Sequence, residues 1–240
     1  AGASVSCVAH YKNSTDSAPV TVTGIQVTAI PRTITVTNLP TGNTMHTGES
    51  HTLTHSITGG DTTGAISWAG TPSTGSNITF SDGTINATAA GAHGTVDGIT
   101  VSVGASGNYA AATSNPAVSI TVNLKERTSV TITPTATSMA PNGTIGIPAV
   151  ANPAEATGDT FTWETDPAAL PAGVHLTPGT ARADITADPG TAATFRVRAV
   201  AKHANYDDKA SDWQTITIAP VAPVLTMTDN VSMNLYDAAG

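Results

Sequence analysis

A segment ending in tyrosine recurs three times, at Tyr11, Tyr109 and Tyr206, with spacings of 98 and 97 residues. A run of β-forming residues precedes each tyrosine. A polar stretch follows it and leads to a second such run: Val20-Thr-Val-Thr, Val118-Ser-Ile-Thr-Val and Ile216-Thr-Ile. A fixed long period is the signature of an array of similar units. It constrains the fold of this chain more than any single motif does.

The composition of the 240 residues favours short strands joined by turns. Only 11% of the chain is charged and only 4% is aromatic, while threonine and valine are abundant. Branched β-carbons suit an extended backbone, and the 22 glycines and 15 prolines supply turns. Apolar residues alternate with polar ones, which indicates folded β-structure rather than a disordered chain.

The repeat also predicts where the domains begin and end. Trp68 and Trp163 lie 95 residues apart in matching runs, and many short strands separated by turns indicate β-sandwiches. Residues 29–125 and 126–220 are predicted to be complete domains. Residues 1–28 are predicted to be the closing strands of a truncated repeat, and residues 221–240 the opening strand or strands of another. The short junctions contain proline, which predicts a semi-rigid linear array.

Four elements resemble those of bacterial Ig-like repeat domains found in surface and phage-virion proteins. They are the Thr33-Ile-Thr-Val-Thr opening, the Gly48-Glu-Ser-His-Thr-Leu strand, the Ile66-Ser-Trp strand and the closing Asn108-Tyr109 element with the strand after it. The resemblance covers nearly the whole chain, as two complete units and two partial ones. It implies an all-β protein of tandem immunoglobulin-like β-sandwiches. Such proteins are secreted, on the cell surface or in virions, and mostly have no catalysis of their own.

Charge and motif content argue against several other classes of protein. The net charge is −8 without a basic cluster, so nucleic-acid binding is not expected. No apolar run approaches the roughly 20 residues that cross a bilayer, so no membrane span is expected. The sequence contains no nucleophile elbow, zinc-protease helix motif or phosphate loop. We therefore expect neither an enzyme nor a cofactor.

The single cysteine, Cys7, cannot form an intrachain disulfide. It lies in a Val-Ser-Cys-Val run, which predicts a buried, small apolar side chain. A reactive thiol is the less favoured interpretation.

Two groups of residues suggest metal ligands, but neither predicts a metal site: the histidines His46, His51 and His55, and the aspartates Asp207, Asp208 and Asp212. If Ser50–Ile57 forms one strand, His51 and His55 share a face about 13 Å apart, too far for one metal ion. Asp207, Asp208 and Asp212 could offer oxygens to calcium. The corresponding loops of the other units carry no such set, so a solvated turn is the preferred interpretation.

Recurring aromatic residues are expected to pack, whereas Trp213 is a candidate contact residue. Tyr109, Tyr206, Trp68 and Trp163 repeat, which indicates core packing or a tyrosine hydroxyl bonded to a loop. Trp213 has the opposite parity to the apolar Ile216 and Ile218, so we expect it to face away from the core. It could contact a partner or a glycan, and packing against a neighbouring domain or subunit is the preferred interpretation.

These observations predict a non-enzymatic structural protein. We expect an extracellular tandem array on a prokaryotic cell surface that acts as a spacer, a filament or surface-layer component, or an adhesin stalk. Its partners would be neighbouring copies of itself or other surface subunits, and low charge limits repulsion between them. Two alternatives stay open: a bacteriophage decoration, tail or fibre protein, and a carbohydrate-binding surface module.

Overall fold

The computed structural model describes residues 2–10, 12, 15–154 and 158–220. Regular structure in this part of the chain consists of strands and one 3-10 turn at Thr41–Asn43. None of its elements is a helix long and apolar enough to cross a membrane. The chain divides into two compact units between Lys125 and Glu126. Tyr11 and residues 221–240, with the predicted opening of a further repeat, lie outside the described residues.

The first unit begins with a two-stranded hairpin. Strands β1 (Gly2–Cys7) and β2 (Val20–Gln26) pair antiparallel and form a sheet of their own.

The rest of the first unit is a sandwich of two strand layers. Its strands are β3 (Thr33–Thr37), β4 (Thr44–His46), β5 (Ser50–Thr52), β6 (Thr54–Thr58), β7 (Ile66–Pro72), β8 (Thr79–Ser81), β9 (Thr84–Asn86), β10 (Gly94–Val103), β11 (Ala112–Thr113) and β12 (Val118–Asn123). In one layer β3 pairs with β6, and β5 pairs with β9, which also pairs with β8. In the other, β10 pairs with β7, β11 and β12, and β4 runs parallel to β12.

The second unit repeats this plan. Its strands are β13 (Ser129–Ile132), β14 (Ser138–Met139), β15 (Thr144–Asn152), β16 (Thr160–Asp166), β17 (Val174–Pro178), β18 (Arg182–Ala187), β19 (Ala193–His203), β20 (Tyr206–Ala210) and β21 (Gln214–Ile218). One layer has the order β13-β15-β18-β17 and the other β14-β21-β19-β16, with β20 also paired to β19. Lettered A to G along the chain, these layers are A-B-E-D and C-F-G, the strand order of an immunoglobulin domain. The predicted fold class of immunoglobulin-like β-sandwiches is confirmed.

Alternation along the strands builds each core. In β19 the side chains of Phe195, Val197, Ala199 and Ala201 are buried, whereas the residues between them point outward. Isoleucine, valine and alanine from both layers make up most of the core, because the chain has few aromatic residues. Full burial of one such aliphatic side chain contributes about 1.5–3 kcal/mol.

Strand β15 lies in the middle of its layer although it contains a glycine and a proline. Strand β15 contains Gly146 and Pro148, both of which normally weaken or interrupt a strand. The structure tolerates Pro148 because β15 changes partners there. Residues 144–148 pair with β18, and pairing with β13 begins only at Ala149. The carbonyl of Pro148 still accepts a hydrogen bond, from the N–H of Thr133.

Two local expectations are wrong. The predicted single strand Ser50–Ile57 is interrupted at Leu53, whose side chain is buried and whose N–H donates to the carbonyl of Gly83. Cys7 is exposed rather than buried. It lies on the β1–β2 hairpin, a sheet of only two strands in the described part of the chain, so its alternating pattern is not matched by a covering layer.

Candidate functional site

A buried arginine closes one end of the first sandwich. Arg32 directly precedes β3, and its guanidinium donates to the carbonyls of Asp61 (2.9 Å), Thr63 (2.7 Å), Ala110 (3.0 Å) and Gly104. The first two acceptors belong to the loop before β7 and the other two to the segment after β10. Because five N–H donors sit in one rigid fork, a single arginine can join both loops.

Arg127 occupies the corresponding place in the second unit, 95 residues later. It donates to the carbonyl of Pro153 at 3.0 Å and pairs with the carboxylate of Asp159, and its side chain is fully buried. Its Cζ lies 4.6 Å from the ring centroid of Tyr206. We call these two arrangements the end locks.

The recurrent tyrosines belong to these ends of the sandwiches. Tyr206 is buried beside Arg127. Tyr109 is half-buried and pairs as a bridge with Ile30. A side chain at Gly60, whose φ is +147°, would place its Cβ 2.0 Å from Cε1 of Tyr109, so this glycine is required by close packing. Trp68 and Trp163 pack against their own cores.

A serine interrupts the last strand of each unit and determines where Trp213 lies. The N–H of Ser211 donates to the carbonyl of Ala199 at 2.8 Å, and its Oγ accepts from the N–H of Ala199 at 3.1 Å. Ser114 makes the same two contacts with Val101, at 2.9 and 3.0 Å. The serine hydroxyl takes the place of a backbone carbonyl as the acceptor, so the residues directly after the serine do not continue the hydrogen bonding to the neighbouring strand. Trp213 follows in one unit and Pro116 in the other.

Trp213 stacks on two arginines of the outer face of the second unit, and each arginine is paired with a carboxylate. We call this group, Trp213 with Arg196, Arg198, Glu164 and Asp166, the Trp213 ladder. The ring centroid of Trp213 lies 4.5 Å from Cζ of Arg198 and 5.5 Å from Cζ of Arg196. Arg198 pairs with Glu164 at 2.6 Å, and Arg196 pairs with Asp166. Cation–π contacts of this kind contribute about 0.5–2 kcal/mol each. The outward orientation predicted for Trp213 agrees with these contacts, and the ring is half-buried by arginines of its own unit.

An open cleft of about 460 Å³ lies beside this ladder. Its lining residues are Trp163, Glu164, Thr165, Asp166, Ala168 and Trp213. The two arginines of the ladder balance its two carboxylates, so this surface carries no net charge. It therefore combines an indole, hydrogen-bonding carboxylates and a neutral overall balance.

The same face of the first unit is chemically different. It carries hydroxyl groups, with Ser102 bonded to Thr113 at 2.8 Å and Ser119 donating to Asp97. The hydrogen bond from Ser119, and then that from Thr95, lower the pKa of the Asp97 carboxyl below its ordinary value. The Trp213 ladder is thus particular to the second unit.

The suggested metal ligands do not come together. His51 contacts the carbonyl of Asn38 through Nε2 at 2.6 Å, and His55 packs edge-on to Trp68 with ring centroids 6.2 Å apart. Asp208 pairs with Lys202. Across residues 2–10, 12, 15–154 and 158–220, no group of three or more His, Cys, Asp or Glu side chains could hold a metal ion.

Comparison with known proteins gives a likeness of fold only. The chain matches no protein-family model and no curated protein. It is similar to the titin domains Z1Z2 in complex with telethonin, with 14% identity, 82% of this chain and 95% of that chain covered, and a TM-score of 0.41. It is also similar to the CbhA fibronectin(III)-like modules of Clostridium thermocellum, with 15% identity, 78% and 93% covered, and a TM-score of 0.28. Because both TM-scores are below 0.5, the assignment of the fold rests on the strand order within each unit and not on these similarities.

The end lock of the second unit yields a stability prediction. We expect Arg127→Ala to lower the free energy of unfolding of residues 126–220 by about 3 kcal/mol, because it leaves Asp159 and the carbonyl of Pro153 without this cation. Urea unfolding checks this. Arg182→Ala is the matched control: its ion pair with Asp184 is 2.7 Å long but more than two-fifths exposed on both sides, so we expect a loss of about 0–1 kcal/mol. Equal effects of the two substitutions would contradict the end lock.

Proposed function

We propose that this protein is a non-enzymatic structural module of the bacterial Ig-like repeat kind, a piece of a tandem array on a prokaryotic cell surface. The observation that supports this is that the two units share the residues that fix their fold but differ in the chemistry of their outer faces. The end locks at Arg32 and Arg127 and the strand-interrupting Ser114 and Ser211 recur at 95 and 97 residues. The outer faces differ between the units. The recurring residues are thus the ones that hold the loops and strands of each unit in place.

The physical properties of the units suit a spacer, a filament or surface-layer component, or an adhesin stalk. Each unit buries its own aliphatic core, so length can be added one module at a time. The end locks hold together loops at the end of a sandwich, which would otherwise lack these hydrogen bonds. Outer faces rich in threonine and serine keep the surface polar, and the low charge density lets copies pack side by side.

Peptide mass spectrometry of density-fractionated source material tests this proposal. We expect peptides of this chain in the cell-envelope or filament fraction, together with peptides of flanking repeats. Co-migration of the peptides with DNA-filled particles would instead establish a phage decoration, tail or fibre protein and overturn the surface array. Recovery with soluble cytosolic proteins would contradict both.

A second candidate function is carbohydrate binding on the Trp213 ladder. The observation that favours it is the cleft of about 460 Å³, which places an indole next to two carboxylates on a neutral face. Sugars bind on such surfaces through contact with aromatic rings and hydrogen bonds to planar polar groups. A structural role of the ladder is the competing explanation, because both guanidinium groups already contact the ring.

A substitution separates the two explanations for Trp213. If the face binds a glycan, we expect Trp213→Ala to reduce glycan-array binding at least about tenfold, as loss of a buried aromatic contact does. Val150→Ala is the control, because it removes an exposed apolar side chain, 59% accessible, from the other layer of the same unit. Absence of glycan binding by the unsubstituted chain, or equal binding by both variants, would reject this function.

A further inference from the structure

The β1–β2 hairpin presents an apolar face that the rest of the described chain leaves open. Val5 pairs with Val22 and Cys7 with Val20, so these four side chains share one face. Val5, Val20 and Val22 are 51%, 67% and 57% exposed, and Cys7 is exposed as well. On the opposite face the Oγ1 of Thr21 donates to the Oγ of Ser6 at 3.3 Å. The hairpin is therefore two-faced, with its apolar side toward solvent.

This hairpin has the register and hydrogen bonding that join β19 to β21 in the complete second sandwich. Val5 pairs with Val22 and Cys7 with Val20 in the same register as Phe195 with Ile216 and Val197 with Gln214. Ala9 and Ser17 make the same two hydrogen bonds as Ala199 and Ser211, so Val5, Cys7 and Ala9 correspond to Phe195, Val197 and Ala199. In β19, Phe195, Val197 and Ala199 are buried, because the β13-β15-β18-β17 layer covers them. Val5, Cys7 and Ala9 occupy the same positions without such a layer.

An uncovered face of this kind marks an interaction site. Isolated two-stranded hairpins are at best marginally stable in water, and contiguous exposed apolar residues indicate a binding surface.

We propose that a four-stranded sheet of the β13-β15-β18-β17 kind covers this face and completes a further Ig-like sandwich. The order of strands indicates its source. In both described sandwiches every strand of the covering layer, the last of them β9 or β18, comes before the closing strands of the other layer, β10 to β12 or β19 to β21. The covering sheet thus belongs to the same polypeptide, ahead of Gly2. This inference rests on the proposed tandem array.

A second copy of this chain fits the face less well. The corresponding hairpin of another copy offers only two strands, and two such ribbons face to face make too few strands for a stable sandwich. The order and number of strands therefore favour a complete layer over self-association.

The thiol of Cys7 reports directly on coverage of the face. We would measure its reaction with a soluble disulfide reagent in two samples, the 240-residue chain and the polypeptide isolated from its source, and identify the labelled Cys7 peptide by mass spectrometry. In the 240-residue chain we expect the rate of an unfolded thiol. In the source polypeptide we expect a rate at least about 100-fold lower, restored by denaturant, because reaction there requires the sandwich to open.

A matched variant tests that protection comes from this face. Cys7→Ser combined with Ser6→Cys moves the thiol to the opposite face, where we expect fast reaction in both polypeptides.

Two results would overturn the proposal. One is an equal rate at Cys7 in both polypeptides. The other is protection in the 240-residue chain that increases with its concentration, which would assign the face to a second copy. Thiol protection is measured on the polypeptide itself, so its outcome is independent of the fraction in which fractionation finds the protein.

Discussion

The burial of alternate side chains between two sheet layers is the constraint on which the rest of the structure depends. In β19, Phe195, Val197 and Ala199 face the opposite layer, so the residues between them must point outward. Arg196 and Arg198 are therefore presented on the outer face, where they meet Trp213 and the carboxylates of β16. The core and the candidate site are two faces of the same strand, and a shift of register by one residue would destroy both.

The end locks explain how sandwiches with so few aromatic residues fix their loops. Carbonyl groups in loops need hydrogen-bond partners, and a guanidinium offers several from one position. Arg32 and Arg127 use this property at equivalent ends of their units, although only nine residues of the chain are lysine or arginine. Two of the few arginines thus hold loops together within a unit. The residues of the outer faces have no such role in common, and they differ between the two units.

Much of this architecture was predictable because strand period and turn residues are local signals. The alternating Thr33–Thr37 run forms β3 as predicted, and the outward side of Trp213 follows from its parity, which is opposite to that of the buried Ile216. The end locks were not predicted, because a buried arginine has the same local sequence as a surface one. The repeated Arg-Thr pair at 32–33 and 127–128 was the available signal. The stacking of Trp213 on Arg198 depends on the interruption at Ser211, which no pattern of apolar residues indicates.

The central claim is that each complete repeat is a self-contained Ig-like sandwich. Separate expression of residues 29–125 and 126–220, with ¹H–¹⁵N correlation spectra compared against the full chain, tests it most directly. The account predicts that each fragment gives dispersed amide resonances that superimpose on those of the full chain, except near the cut ends. A fragment whose amide resonances collapse into the narrow range of an unfolded chain would contradict it.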